Sequence, residues 1–136
     1  PGGVSLAGEA IDLGKIKTPF YILATKEDHI APWKSAYRAT SLYAGKNKFV
    51  LSASGHIAGV VNPPAAGKYC YWTNAKTVAD ADAWLDGAKQ HDGSWWPDWI
   101  KWLAKQNADQ VPARQPGDAG LEVIEEAPGS YVKSKA

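Results

Sequence analysis

The chain has 136 residues, 45% of them hydrophobic and 21% charged, with a formal net charge of +1. That is the size of one ordinary domain with enough apolar residues for a packed core, which excludes general disorder. The near-neutral charge gives no reason to expect a nucleic-acid partner, and no run reaches the roughly 20 apolar residues that span a bilayer. A single cysteine, Cys70, forbids an internal disulfide and fits a reducing compartment.

The chain contains no methionine and opens on Pro1-Gly2-Gly3, so a piece of a longer protein is expected. Seven tryptophans are present, four of them between Trp95 and Trp102.

Residues 1–10 are glycine-rich and weakly alternating, and read as a loop or small hairpin. Ile11 to Pro19 reads as a lead-in turn. Phe20-Tyr21-Ile22-Leu23-Ala24-Thr25 is a continuous apolar run with Pro19 kept to its start, the pattern of a strand buried on both faces. A polar loop, Lys26 to Ala31, follows. Pro32 suits a first helical turn, Trp33, Ala36, Tyr37, Thr40 and Tyr43 recur at helical spacing, and Gly45 can close the helix. Lys48 to Ala53 is a second strand, ending at Ser54-Gly55-His56. Tyr69 to Trp72 reads as part of a loop. Thr77 with Asp80 marks a helix start, and Val78, Ala81, Leu85 and Ala88 share one face. His91-Asp92-Gly93 reads as a turn between helices. Ser94 to Leu103 reads as a capped amphipathic helix with Trp95, Trp99, Trp102 and Leu103 on one stripe. From Lys105 onward, prolines, glycines and mixed charges predict a tail with little core of its own.

Strand, acidic loop, helix, strand, histidine is therefore the order. A strand–helix–strand unit implies parallel strands, and reactive groups in open α/β sheets lie beyond the carboxyl ends of the strands. Asp28 and His56 each follow one strand, so a hydrogen bond between them is geometrically reasonable. An imidazole near neutral pKa relays protons, and a carboxylate on its other nitrogen fixes its tautomer. The competing reading makes Asp28 a capping residue and His56 a partly buried turn residue. His29 could line the same site or be a solvated loop residue. His91 reads as an unremarkable turn residue. A zinc site from His29, His56, His91 and Cys70 lacks familiar ligand spacing, so neither metal nor cofactor is expected. Cys70, among bulky aromatics, reads as a packing residue, and the tryptophan helix as core. Two strands are fewer than a sheet usually needs, so residues 1–104 are expected to be the closing part of a larger α/β domain, with 105–136 as its tail.

Several segments together carry a resemblance: Glu27-Asp28-His29-Ile30-Ala31-Pro32-Trp33; Ser54-Gly55-His56-Ile57-Ala58-Gly59-Val60-Val61-Asn62-Pro63-Pro64; Tyr71-Trp72-Thr73-Asn74; Ala83-Trp84-Leu85-Asp86-Gly87-Ala88; Gly93-Ser94-Trp95-Trp96-Pro97-Asp98-Trp99; and Ala127-Pro128-Gly129-Ser130-Tyr131-Val132-Lys133. In this order they resemble the C-terminal region of class I polyhydroxyalkanoate synthases, with the likeness weakest between about Lys105 and Glu122. The resemblance implies the last parallel strands and helices of an α/β-hydrolase fold. It implies an acyltransferase that polymerises (R)-3-hydroxyacyl-coenzyme A into polyester, with Asp28 and His56 as catalytic residues and a nucleophilic cysteine supplied from elsewhere. It further implies a cytoplasmic, granule-associated enzyme that dimerises. Ala58 is where side-chain bulk could tune acyl length. Two other readings compete: a serine esterase or depolymerase with the same Asp28 and His56, and a non-catalytic module that binds granule surfaces. The segment given lacks a nucleophile box, so on its own it is expected to be inactive.

Overall fold

The computed structural model describes residues 3–115 and 117–135. Two short strands, β1 (Ser5–Leu6) and β2 (Glu9–Ala10), form an antiparallel hairpin. Ala7 and Gly8 at its turn both have positive φ, 50° and 85°, the backbone sense that a two-residue hairpin needs. The lead-in is a single 3₁₀ turn, Leu13–Lys15, capped where the Asp12 carboxylate accepts the Gly14 N–H.

The main sheet has four strands in the order β3 (Tyr21–Thr25), β4 (Lys48–Ser52), β5 (Cys70–Thr73), β6 (Lys89–Asp92). β3 and β4 are parallel, with Tyr21 opposite Lys48 and Thr25 opposite Ser52. β5 runs antiparallel to β4, and β6 antiparallel to β5. The architecture is mixed α/β. Two expectations are corrected here. Cys70–Thr73 is a strand and not a loop, and His91 and Asp92 end a strand and do not sit in a turn between helices. The parallel pairing expected of the strands before and after the first helix is present as β3–β4, and the two pairings beyond it are antiparallel. The chain from Ser54 to Tyr69 forms a turn and a single 3₁₀ helix, Pro64–Ala66, with no crossover α-helix, and β5 returns antiparallel.

Period-two alternation assigns the two faces of the sheet. Ile22, Ala24, Phe49, Leu51 and Trp72 share one face. They pack with Trp33, Tyr37 and Trp84 from α1 (Trp33–Tyr37) and α3 (Ala81–Asp86). Phe49 meets Trp84 and Tyr37 edge-on, with centroids 4.9 Å apart in both pairs. The single helix expected over Trp33–Tyr43 is instead interrupted at Arg38, with α2 (Ala39–Leu42) continuing it. Thr40 and Ser41 hydroxyls donate to the Tyr37 and Arg38 carbonyls, competing with the helical ladder at that point. α3 begins later than the Thr77 start expected: Asp80 is itself the N-cap and accepts the Ala83 N–H, so Val78 and Ala88 lie outside the helix.

The opposite face is covered by α4 (Trp96–Gln106). Trp95 and Trp102 pack on Tyr21, with centroids 6.0 and 5.6 Å away. Asp98 accepts the Tyr21 hydroxyl at 2.8 Å and both oxygens take the Lys48 ammonium, at 2.7 and 2.6 Å. Burial, then the Asp98 carboxylate, pushes the Tyr21 phenol far above its ordinary pKa and keeps it a donor. The expected four-residue stripe is narrower than the sequence suggests: Trp99 and Leu103 remain exposed. The N-cap position is Trp95, and the Ser94 hydroxyl just before it accepts the Trp96 N–H. Beyond Gln106 the described residues form turns and a single 3₁₀ helix, Tyr131–Lys133, and apolar side chains, Val111, Leu121, Val123 and Ile124 among them, are exposed. No helix among the described residues is long and apolar enough to cross a membrane.

Candidate active site

The parallel register places Thr25 beside Ser52, so whatever follows each strand emerges at the same end of the sheet. Asp28 follows Thr25 by three residues and His56 follows Ser52 by four. Their loops are tied together, since Lys26 N–H donates to Ser52 O (2.8 Å) and Glu27 N–H to Ser54 O (3.0 Å). Ser54 sits in the left-handed region at φ 72°, a conformation costly for a non-glycine residue, and it turns the chain sharply after β4. The following residues wind into a compact turn: Gly59 N–H donates to Gly55 O, and Val60 and Val61 N–H to Ile57 O.

Across this gap His56 Nδ1 lies 2.7 Å from Asp28 Oδ2. Asp28 divides its two oxygens. Oδ1 accepts the backbone N–H groups of Ile30 (2.8 Å) and Ala31 (2.9 Å), while Oδ2 faces His56 and the Thr25 hydroxyl (3.4 Å). The Ala31 N–H foremost, then the His56 contact, hold the Asp28 carboxyl at about 2, below its ordinary 3.8. Its side chain is 8% exposed against 48% for His56. The imidazole is half open to solvent, and its Nε2 has no hydrogen-bond partner among the described residues.

A cleft of about 200 Å³ adjoins the pair, lined by Leu23, Thr25, Asp28, Ala31, His56 and Val60 among others. Larger hollows of about 460 and 450 Å³ lie by the amino-terminal hairpin and in the tail. Neither has a histidine or cysteine in its wall, so chemistry and not size selects the smaller cleft. Held by Asp28 at Nδ1, His56 presents Nε2 as a proton acceptor, the arrangement of a general base with an orienting carboxylate.

The remaining sequence candidates fall outside this pair. His29 and Ala58 are exposed and neither lines the cleft. Cys70 lies in β5, away from the cleft wall, and burial foremost pushes its thiol up, with the Asp92 carboxylate adding to the effect. His91 stacks on Tyr71 at 4.8 Å and shares a hydrogen bond with the Thr73 hydroxyl through Nε2. Among the described residues no three metal-ligating side chains cluster. Sequence reasoning missed Thr25, which bonds Asp28, and Gly59, where an added Cβ would collide with Thr25 and the Ala53 carbonyl. It also missed the indoles of Trp95 and Trp96, which both reach the Val60 carbonyl. Gly59, the first glycine after the histidine, was the one available signal for the tight approach.

No protein-family model matches the chain. Curated relatives do. The chain is 53% identical over 135 residues to the "Poly(3-hydroxyalkanoate) polymerase subunit PhaC" of Rhizobium meliloti (strain 1021), covering 99% of this chain and 22% of that protein. It is 50% identical over 137 residues to the protein of the same name from Cupriavidus necator, covering 100% of this chain and 23% of the relative. The "Poly(3-hydroxyalkanoate) polymerase" of Methylorubrum extorquens is 45% identical over 99% of this chain and 22% of its own length. The chain thus spans less than a quarter of the curated relatives it matches.

Proposed function

We propose that this chain, which is homologous along its whole length to the poly(3-hydroxyalkanoate) polymerases, is the C-terminal stretch of such an enzyme and supplies the proton-transfer pair of its acyl transfer. One observation carries the reading: His56 Nδ1 is fixed 2.7 Å from Asp28 Oδ2 while Nε2 stays unpartnered beside a cleft at the strand ends. The motif-level likeness favours class I, and an α/β-hydrolase catalytic domain comprising residues 1–104 followed by a tail of 105–136. β3 at the edge of the sheet, with no outer strand partner among the described residues, is compatible with a sheet that continues into further polypeptide.

The chemistry follows from the pair. A cysteine thiolate from elsewhere in the polymerase attacks the thioester carbonyl of (R)-3-hydroxyacyl-coenzyme A. The bond to the coenzyme A sulfur breaks, and coenzyme A leaves with the proton that His56 took from the cysteine. The 3-hydroxyl of another unit then attacks the acyl-cysteine carbonyl. Its proton passes to His56 Nε2, the ester bond forms, and the cysteine sulfur is released. Asp28 holds the Nδ1–H tautomer and stabilises the imidazolium formed in each step. No metal or cofactor enters. Cytoplasmic location, dimerisation, association with the polyester granule and a role for Ala58 in acyl length belong to the same proposal.

The test is coenzyme A release from 3-hydroxybutyryl-coenzyme A. In the complete polymerase, His56→Ala should lower the rate at least about 100-fold with the fold intact, the usual contribution of a positioned base. The 136-residue chain alone should release none. A His56→Ala polymerase with a near-normal rate removes the proton-transfer role, and turnover by the chain alone removes the need for an external cysteine. A serine at the nucleophile position of the complete protein would favour the hydrolase reading instead.

A further inference from the structure

In the turn after His56 the N–H groups of Gly59, Val60 and Val61 are bonded within the turn, while the carbonyls of Gly59 and Val60 take side-chain donors from outside it. Buried or half-buried carbonyls need partners. Gly59 O receives the Ser52 hydroxyl at 2.8 Å, from β4. Val60 O receives two donors, the indole N–H groups of Trp95 (3.2 Å) and Trp96 (3.0 Å).

Two consecutive indoles on one oxygen is more than core packing requires. Successive side chains on a helix diverge by about 100°, and here the rings stand at 74° with centroids 6.4 Å apart. Trp95 is 9% exposed, so its N–H needs some buried acceptor. Trp96 is partly exposed, and water could satisfy its N–H. Its choice of the same carbonyl is therefore not forced by burial. Both lone-pair directions of Val60 O are filled, which fixes that peptide plane from two sides. Val60 lies four residues past His56, about one helical turn along the same winding.

The donors are themselves anchored. Asp98, in the first turn of α4, is tied to Lys48 and Tyr21, so the amino end of α4 is fixed to the sheet that carries Asp28. The sheet thus holds Asp28 through Thr25 and the strand end, and holds the histidine turn through α4.

We infer that Trp95 and Trp96 are positioning residues for His56, acting through their shared hydrogen bonds to the Val60 carbonyl. This rests on the proton-transfer role proposed for His56. Neither indole touches the reacting atoms. Each keeps the turn from drifting, and so keeps Nδ1 on Asp28 and Nε2 aimed into the cleft.

The test uses the complete polymerase and two readouts. Trp96→Phe keeps an aromatic ring and deletes one donor. Removing one hydrogen bond of ordinary strength should lower kcat about three- to tenfold with KM unchanged. Amide hydrogen exchange in 57–62 should accelerate by a similar factor, while exchange in β4 stays as in the parent. Trp99→Phe, which alters the same helix without a donor to Val60, should leave both readouts unchanged. Trp95→Phe combined with Trp96→Phe should exceed the single change. Unchanged exchange in 57–62 for Trp96→Phe overturns the inference, as does faster exchange with an unaltered kcat. Acceleration that extends equally to β4 assigns the tryptophans a purely structural part and overturns it too. If His56→Ala keeps its rate, the proton-transfer reading fails separately, and the exchange data still report whether the clamp exists.

Discussion

Gly59→Ala is the substitution on which the site geometry makes its firmest demand. A Cβ built on Gly59 would lie 2.5 Å from the Ala53 carbonyl oxygen, 2.5 Å from Thr25 Cγ2 and 2.9 Å from Thr25 Cβ. Carbon atoms rest comfortably at about 3.5–4.0 Å from one another, so the turn must retreat by about 1 Å. A side chain could swing aside, but the Ala53 oxygen is backbone, and Ala53 N–H is bonded to Cys70 O in the sheet. Overpacking of this kind costs about 1–3 kcal/mol, and the rigid obstacle places it near the upper figure. His56 sits on the same turn, with only 2.7 Å to Asp28. A 1 Å displacement there can lower a rate about 100-fold. Gly55 is the internal control, because its added Cβ meets nothing within 4 Å. Chemical denaturation and coenzyme A release in the complete polymerase read both effects. The expected pattern is a lowered unfolding midpoint and a large loss of rate for Gly59→Ala, with Gly55→Ala close to the parent. Adding Thr25→Ser removes the methyl clash, keeps the hydroxyl on Asp28, and should restore only part of the loss. A Gly59→Ala protein matching the parent in both stability and rate would refute the reasoning.

Three further outcomes are expected. Asp28 has its folded pKa depressed to about 2 from 3.8; its ionisation therefore stabilises the fold fully above about pH 4, and that contribution is lost as pH falls toward 2. The stability difference between Asp28→Asn and the parent should accordingly be constant above pH 4 and shrink between pH 4 and 2; a difference independent of pH in that window would contradict the bonding described. Asp98→Asn weakens the attraction to Lys48, in a pair whose side chains are 32% and 22% exposed. Partial solvation discounts the full buried-pair effect to about 1–2 kcal/mol of unfolding free energy, measurable by urea titration. Trp84→Ala empties a site 1% exposed between Phe49 and Tyr37 and should cost about 3–5 kcal/mol by the same titration.

What the sequence disclosed depended on how local each signal was. β3 and β4 were legible because the apolar stretches Phe20–Ala24 and Phe49–Leu51, bounded by Pro19 and by Ser54, have few alternatives. The Asp28–His56 contact was legible because it needs only two parallel strands and two short loops. β6 was not, since Lys89-Gln90-His91-Asp92 carries no alternating apolar pattern and is mostly exposed. Its strand state comes from pairing with Cys70–Thr73, which lies about twenty residues earlier. β5 was obscured in turn because a four-residue aromatic stretch after Pro63-Pro64 and Gly67 fits a loop as well as a strand. The α4 stripe was read too wide. Periodicity identified an amphipathic helix but could not tell which tryptophans Tyr21 and Lys48 would draw inward.

The same distinction explains how the site is built. Asp28 commits one oxygen to its own loop through Ile30 and Ala31, and only the other is left for His56. A carboxylate fixed by two backbone donors cannot follow a wandering imidazole, so the histidine must be brought to it and held. The turn after β4 has no ladder to hold it, being outside the sheet. Its support comes from the Ser52 hydroxyl beneath, the approach of Gly59 to Thr25 that leaves no room for a Cβ, and the indoles of Trp95 and Trp96 at the start of α4 above. These three supports arise from β4, β3 and α4, elements that together span most of the chain before Gln106. Local sequence therefore supplies the two side chains of the candidate site, whereas their 2.7 Å separation is a property of the assembled sheet and its covering helix.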